Sequence, residues 1–228
     1  MRVIIMAGGR GTRLRPLTYS VPKPLLPVGE TPILELIIKR LSSLGFKEIT
    51  LMTGYRSELI EAYFGDGTKL GVKLCYVKEG EARGTAGPLK LLEDLGEEPL
   101  LVMNGDILTK LDFRKMIDFH LQNGADLTIG TRIFQERLLY GVIEGEEERV
   151  TKVDERPLRE FEISAGIYLL DPTLVQLIPS NTLFGMPELI NRAIEEGKRV
   201  YKYSIKEYWL AIEKIDDLNG AMEEIRDW

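Results

Sequence analysis

The chain has 228 residues, 36 acidic and 30 basic side chains, a net charge of −6, one histidine and one cysteine. An acidic balance argues against nonspecific binding to nucleic acid, and a lone thiol excludes an internal disulfide and suits a reducing cytosol. The sequence enters an apolar run at once, without a secretory h-region, and no apolar run approaches membrane-spanning length. A cytoplasmic protein with no membrane partner is therefore expected.

In chain order, Val3–Met6 reads as an apolar strand. Pro32–Leu44 reads as a helix, with Ile33, Ile37, Leu41 and Leu44 on one stripe and Gly45 as its stop. Glu48–Met52 is a strand, Ser57–Phe64 a helix, and Val72–Val77 a strand that would bury Cys75. A helix over Thr85–Leu95, a strand over Leu100–Met103, a helix over Phe113–Gln122 and a strand over Leu127–Thr131 follow. Such alternation predicts βαβ units.

Beyond Arg132 the rhythm changes to short strands, at Gly141–Glu144, Val150–Asp154 and Ile163–Leu169, with a charged hairpin tip at Glu144–Arg149. Helices at Pro172–Leu177 and Pro187–Glu196, strands at Val200–Ser204 and Tyr208–Ile212, and a last helix complete the pattern. Asp216 would cap that helix, with Leu218, Met222 and Ile225 on one face. The expected fold is α/β: a three-layer, Rossmann-like mixed sheet, mostly parallel, with helices on both faces. One domain spans 1–228, with a first half over 1–132 and a small annex over 133–228.

The most informative stretch is Met6–Pro24, where the first strand empties into glycines and cations with no acid among them. Glycine lets backbone N–H groups close on an anion. Arg10, Arg13, Arg15 and Lys23 add positive charge where a triphosphate would lie. A P-loop is excluded because no Gly-Lys-Ser/Thr occurs. A dinucleotide fingerprint is excluded because Leu14 stands where its third glycine belongs.

What remains, G-G-x-G-T-R-L-x-P-L-T followed by P-K-P, resembles the signature of the sugar-1-phosphate nucleotidyltransferases. The chain is most similar to their short single-domain type, such as mannose- and heptose-1-phosphate guanylyltransferases, and ends before the C-terminal extensions of longer relatives. The resemblance implies condensation of a nucleoside triphosphate with a sugar 1-phosphate, giving a nucleotide sugar and pyrophosphate, with Mg²⁺ as cofactor. It makes 1–132 the nucleotide-binding half and 133–228 the sugar-binding half. Dimers are common among similar proteins, so a homodimer is the assembly it suggests.

Carried over residue by residue, Ala7, Gly8, Gly9, Gly11, Thr12 and Arg13 would hold the nucleotide, together with Gly84, Thr85 and Asn104. Arg13 would grip the outer phosphates and Lys23 the α-phosphate and sugar phosphate. Asp106, ending the strand Leu100–Met103, suits Mg²⁺, an ion held by one or two carboxylates plus substrate phosphates. Glu79 stands where uracil- and thymine-using relatives commonly carry glutamine. An ionised carboxylate only accepts hydrogen bonds, and guanine offers adjacent N–H donors, so GTP is favoured over UTP, CTP or dTTP. Gly141, Glu155, Arg156, Ser164 and Gly166 match the sugar side, with Arg156 replacing the usual lysine of an E-K-P segment.

One landmark departs from the pattern. Where similar enzymes carry W-x-D-I-G, this sequence has Trp209-Leu-Ala211-Ile-Glu213, so the second metal-binding aspartate is missing. Three readings stay open: an engineered replacement that traps a substrate complex, a carboxylate supplied by Glu213 from the same strand face, or a catalytically impaired, nucleotide-sugar-binding regulatory paralogue.

Overall fold

The computed structural model describes residues 1–225. β1 (Val3–Ala7) leads into the glycine loop and a run of 3₁₀ turns. The two-residue ladder of β2 (Pro27–Val28) and β3 (Thr31–Pro32) then precedes α1 (Ile33–Ser43). β4 (Glu48–Thr53), α2 (Ser57–Phe64) and β5 (Lys73–Lys78) follow, then β6 (Leu100–Asn104), β7 (Ile107–Thr109) and α3 (Phe113–Gln122). The second half holds β8 (Leu127–Arg137), the hairpin β9 (Val142–Glu146) and β10 (Arg149–Asp154), and β11 (Leu158–Leu170). It closes with α4 (Met186–Glu195), β12 (Val200–Ser204), β13 (Trp209–Ala211) and α5 (Ile215–Glu224).

Seven strands form the central sheet in the order β12-β8-β11-β6-β1-β4-β5. Only β11 runs antiparallel to its neighbours; the other pairs are parallel, as the alternating pattern predicts. Strand periodicity divides the core. Val3, Ile5, Leu101 and Met103 face one layer with α1 residues such as Ile33 and Ile37. Ile4, Leu100 and Val102 face the other, with Leu189 and Ala193 of α4. The chain leaves β1 towards β4 and β5, then returns to the other side of β1 as β6. The sheet therefore has its switch point between β1 and β6, and open α/β sheets bind ligands beyond the C-terminal ends of such strands.

Past the sheet, β8 and β11 continue together as a two-stranded ribbon, with Phe134 opposite Phe161 and Arg137 opposite Leu158. The β9–β10 hairpin connects them.

Several local expectations fail for tertiary reasons. Thr85–Leu95 is no α-helix but a single 3₁₀ turn over Gly87–Leu91, because the N–H groups of Ala86 and Gly87 are engaged by the Phe184 carbonyl. Pro172–Leu177 is likewise a 3₁₀ turn, opened by Asp171 accepting from Thr173 N–H. Cys75 is exposed rather than buried: β5 is an edge strand and turns Leu74 inward instead. Asp217, not Asp216, caps the last helix, accepting from the N–H groups of Glu213 and Lys214. On that helix Leu218 and Ala221 are buried whereas Met222 is exposed.

No helix among the described residues is long and apolar enough to cross a membrane. His120 lies inside α3, bonded through Nδ1 to the Thr128 hydroxyl at 2.8 Å, and burial pushes its pKa down. It is a core residue.

Candidate active site

A cleft of about 1050 Å³ opens at the switch point. Met6–Gly11 and Asn104–Asp106 form its floor, Lys23 and Tyr55 one side, and Lys78–Thr85 with Leu183 another. Of the nucleotide residues read from the sequence, Ala7, Gly8, Gly9, Gly11, Glu79, Gly84, Thr85 and Asn104 line this one space. Thr12 and Arg13 belong to the adjoining 3₁₀ turn, outside the lining.

The glycine loop is held from below by the turn that follows β4. Gly8 carbonyl accepts from Tyr55 N–H at 3.1 Å, and a Cβ on Gly54 would lie 2.9 Å from the same oxygen. Any side chain at position 54 would lift the loop. Across the cleft, the Glu79 carboxylate lies against Gly8. Burial pushes the Glu79 pKa up, opposed by a hydrogen bond from the Arg83 backbone and by the Arg83 charge.

The principal charge pair joins the loop that follows β1 to the segment just past β6. Lys23 Nζ donates to Asp106 Oδ2 across 83 residues of sequence. The two side chains retain only 16% and 25% exposure, so solvent screens the pair less than it would on the surface. Lys23 sits in a 3₁₀ turn between Pro22 and the buried Pro24, which fixes the start of its stem. The other carboxylate oxygen of Asp106, Oδ1, is buried without a hydrogen-bond partner. An acceptor left bare at the edge of a cleft lined by a glycine loop is suited to an oxygen-seeking cation.

Arg13 behaves differently. Its guanidinium bonds Glu213 at 2.6 Å, and both side chains are more than half exposed. Glu213 is thus engaged by Arg13. Ala211, half-buried, pairs with Ile107 next to Asp106, and Ile212 N–H bonds the Asp106 carbonyl at 2.9 Å. The backbone thus brings position 211 beside the metal candidate, but alanine offers no oxygen there. Among the described residues no three histidine, cysteine, aspartate or glutamate side chains cluster as a metal site.

The wall that bears Gly84 and Thr85 is stapled to the segment before α4. Phe184 carbonyl accepts from Ala86 and Gly87, Phe184 N–H donates to Arg83 O, and Arg83 donates to Asn181 Oδ1 at 3.0 Å. Thr85 Oγ1 accepts from Met186 N–H at 2.8 Å. Gly84 has a φ of +79°, and a Cβ there would lie 2.6 Å from Phe184 O. Both features demand glycine. This staple also presents Leu183, 74% exposed, to the cleft.

The predicted sugar residues divide into two groups. Gly166 packs beside Asn104 at the irregularity of β11, and the Ser164 hydroxyl pairs with Tyr168 OH at 2.8 Å. Trp209 Nε1 donates to Ala165 O, joining this strand to the one bearing Ala211. Gly141 and Glu155 meet each other on the annex, and Arg156 lies 3.6 Å from Glu155 with a positive φ. Neither group lines the cleft.

Cleft residues from segments that the sequence reading did not place at the site are Gly54, Tyr55, Lys78 and Leu183. The first three follow or end strands β4 and β5, which lie in succession on one side of β1, so their sequence positions carried a usable signal. Leu183 carried none, since only the staple to Phe184 delivers it.

A family model described as nucleotidyl transferase matches residues 2–227. A mannose-1-phosphate guanylyltransferase of Mycobacterium tuberculosis is 32% identical over 98% of this chain and 64% of its own length. A UTP–glucose-1-phosphate uridylyltransferase of Synechocystis sp. is 31% identical over 99% of this chain and 63% of its own length. The chain spans a little under two thirds of the length of these curated relatives. Among solved structures, HddC from Yersinia pseudotuberculosis superposes with a TM-score of 0.78 at 25% identity, covering 98% of both chains. Its complex with GMP-PN gives 0.77 at 24% identity, again covering 98% of both.

Proposed function

The chain belongs to the nucleotidyl transferase family, and from that premise we propose that it condenses a nucleoside triphosphate with a sugar 1-phosphate, releasing pyrophosphate. The observation that carries this reading is the Lys23–Asp106 pair facing the glycine loop across the switch point. A triphosphate laid along Gly8–Gly11 would present its α-phosphorus near Lys23. The sugar phosphate, already anionic near neutral pH, would attack in line without a general base, and pyrophosphate would leave. Catalysis would then consist of positioning and charge neutralisation. Arg13 would exchange Glu213 for the outer phosphates. Asp106, through its bare Oδ1, would hold Mg²⁺, which when bound neutralises phosphate charge.

Glu79 and the relatives that use guanine nucleotides by name favour GTP; Synechocystis UTP–glucose-1-phosphate uridylyltransferase keeps UTP as the alternative. Initial rates of pyrophosphate release over a matrix of four nucleoside triphosphates and several sugar 1-phosphates test the assignment. GTP with a mannose- or heptose-type phosphate should give the highest rate; a UTP- or dTTP-exclusive profile would reject the base assignment. In Glu79→Gln, the preference for GTP over UTP should fall at least tenfold, the discrimination expected of one hydrogen-bonding group. The same variant carries a pH signature. A raised carboxyl pKa means that folding favours protonated Glu79, so its contribution to stability declines as pH rises through the folded value. Glu79→Gln should therefore melt higher than wild type at pH 7, with the difference shrinking towards pH 4. A pH-independent difference would remove burial as the cause.

Ala211 supports a second reading, a scaffold that binds nucleotide sugar and turns over poorly. Ala211→Asp would set a carboxylate beside Asp106. On the impaired reading turnover rises at least tenfold and half-saturating Mg²⁺ falls. Unchanged kinetics would mean that position 211 does not limit this protein.

A further inference from the structure

We propose that Tyr55 is a positioning residue of the triphosphate site, its ring holding the Arg10 guanidinium at the cleft while its backbone N–H pins the loop that carries Arg10. This inference rests on the nucleotidyl-transfer reading and adds a component that no signature residue supplies. Tyr55 lies in the turn after β4, so it is anchored to the sheet rather than to the loop it touches.

Three contacts converge on it. Its N–H donates to Gly8 O at 3.1 Å, fixing the start of the glycine loop. Its hydroxyl lies 3.1 Å from the carbonyl oxygens of both Thr18 and Tyr19, the far end of the same excursion, and accepts from Arg56 Nε at 3.1 Å. Arg56 reinforces that end by donating to Tyr19 O at 2.9 Å. The ring face receives the Arg10 guanidinium 6.0 Å from its centroid and that of Arg56 at 5.5 Å. Arg10 is exposed and makes no ion pair among the described residues, yet it lines the cleft.

A guanidinium with no carboxylate partner is available to phosphate oxygens, and an aromatic face can hold it without neutralising it. Arg13 and Lys23, by contrast, each have an acid partner. Tyr55 thus keeps one cation free and aimed, which shortens the search for the productive geometry.

A double-mutant cycle on nucleotide affinity tests this without relying on turnover. GTP and inorganic tripolyphosphate, each with Mg²⁺, are titrated calorimetrically into wild type, Tyr55→Leu, Tyr55→Phe, Arg10→Ala and the Tyr55→Leu/Arg10→Ala double variant. Tyr55→Leu and Arg10→Ala should each weaken GTP binding about tenfold, the size of the one charged hydrogen bond lost with a correctly held Arg10. The double variant should lose little more than either single one, because Arg10 without its platform contributes little. Tyr55→Phe, which keeps the ring, should lose less than threefold. Tripolyphosphate affinity should follow the same order, since the effect lies on the anionic tail.

Losses that multiply to about a hundredfold in the double variant, or a Phe variant as weak as Leu, would overturn the coupling. A loss confined to GTP would place Tyr55 on the base instead and overturn it equally. If wild type binds neither probe, the functional reading itself fails and this inference with it.

Discussion

Lys23→Ala should lower kcat at least a hundredfold while the protein keeps a native far-UV spectrum and a cooperative melt. Lys23 carries a charge that is shielded from solvent and joined to Asp106. Its stem is fixed between prolines in a short 3₁₀ turn, so little reorganisation is needed when charge develops at the α-phosphorus. Removing one such preorganised donor costs about 3 kcal/mol of transition-state stabilisation. The ground state should be affected less, since the glycine-loop amides and Arg10 would still bind the tail. KM for the nucleotide should therefore rise by less than kcat falls. A variant within threefold of wild-type turnover would remove Lys23 from the chemistry.

Asp106→Asn should be comparably damaging, for a different reason. The amide keeps the shape of the side chain but gives up the charge that meets Lys23, and it offers a weaker oxygen where Oδ1 now stands bare. Ala211, paired with Ile107 beside Asp106, contributes no oxygen there. Turnover should fall at least a hundredfold, on the scale of losing a principal electrostatic group. Half-saturating Mg²⁺ should also rise severalfold for the residual activity. A rate loss with an unchanged Mg²⁺ profile would mean that Asp106 acts only through Lys23. Full activity would remove it from the site altogether.

What the sequence disclosed and what it hid follow from how local each feature is. The glycine loop was legible because its glycines and cations are contiguous and follow an apolar strand. The mixed, mostly parallel sheet was legible because helix and strand periods alternate through the first half. Position within the sheet was not legible: Cys75 looks like any apolar strand residue until β5 proves to be an edge. The Thr85–Leu95 segment has a helical apolar stripe, yet the Phe184 carbonyl takes its first N–H groups from roughly a hundred residues away. Leu183 reaches the cleft by the same long-range staple.

The cations show the same division. Lys23 and Asp106 were named from motifs, but their contact belongs to the fold. Arg13 was named from the same motif, and the structure pairs it with Glu213, a residue that stands where similar enzymes carry glycine. The two departures within the W-x-D-I-G segment, Ala211 and Glu213, are thus two residues apart on the chain and on opposite sides of the charge balance. One removes a carboxylate beside Asp106; the other adds a carboxylate that engages an arginine of the phosphate loop.

The central claim is that the cleft exists to expose the innermost phosphorus of a triphosphate to a sugar phosphate. Following GTP labelled at its α-phosphorus, in the presence of a sugar 1-phosphate and Mg²⁺, tests it directly. The label should pass into a nucleoside-diphosphate sugar, with one pyrophosphate released for each label transferred. Label left in GDP or GMP, with orthophosphate released and no sugar product, would contradict it.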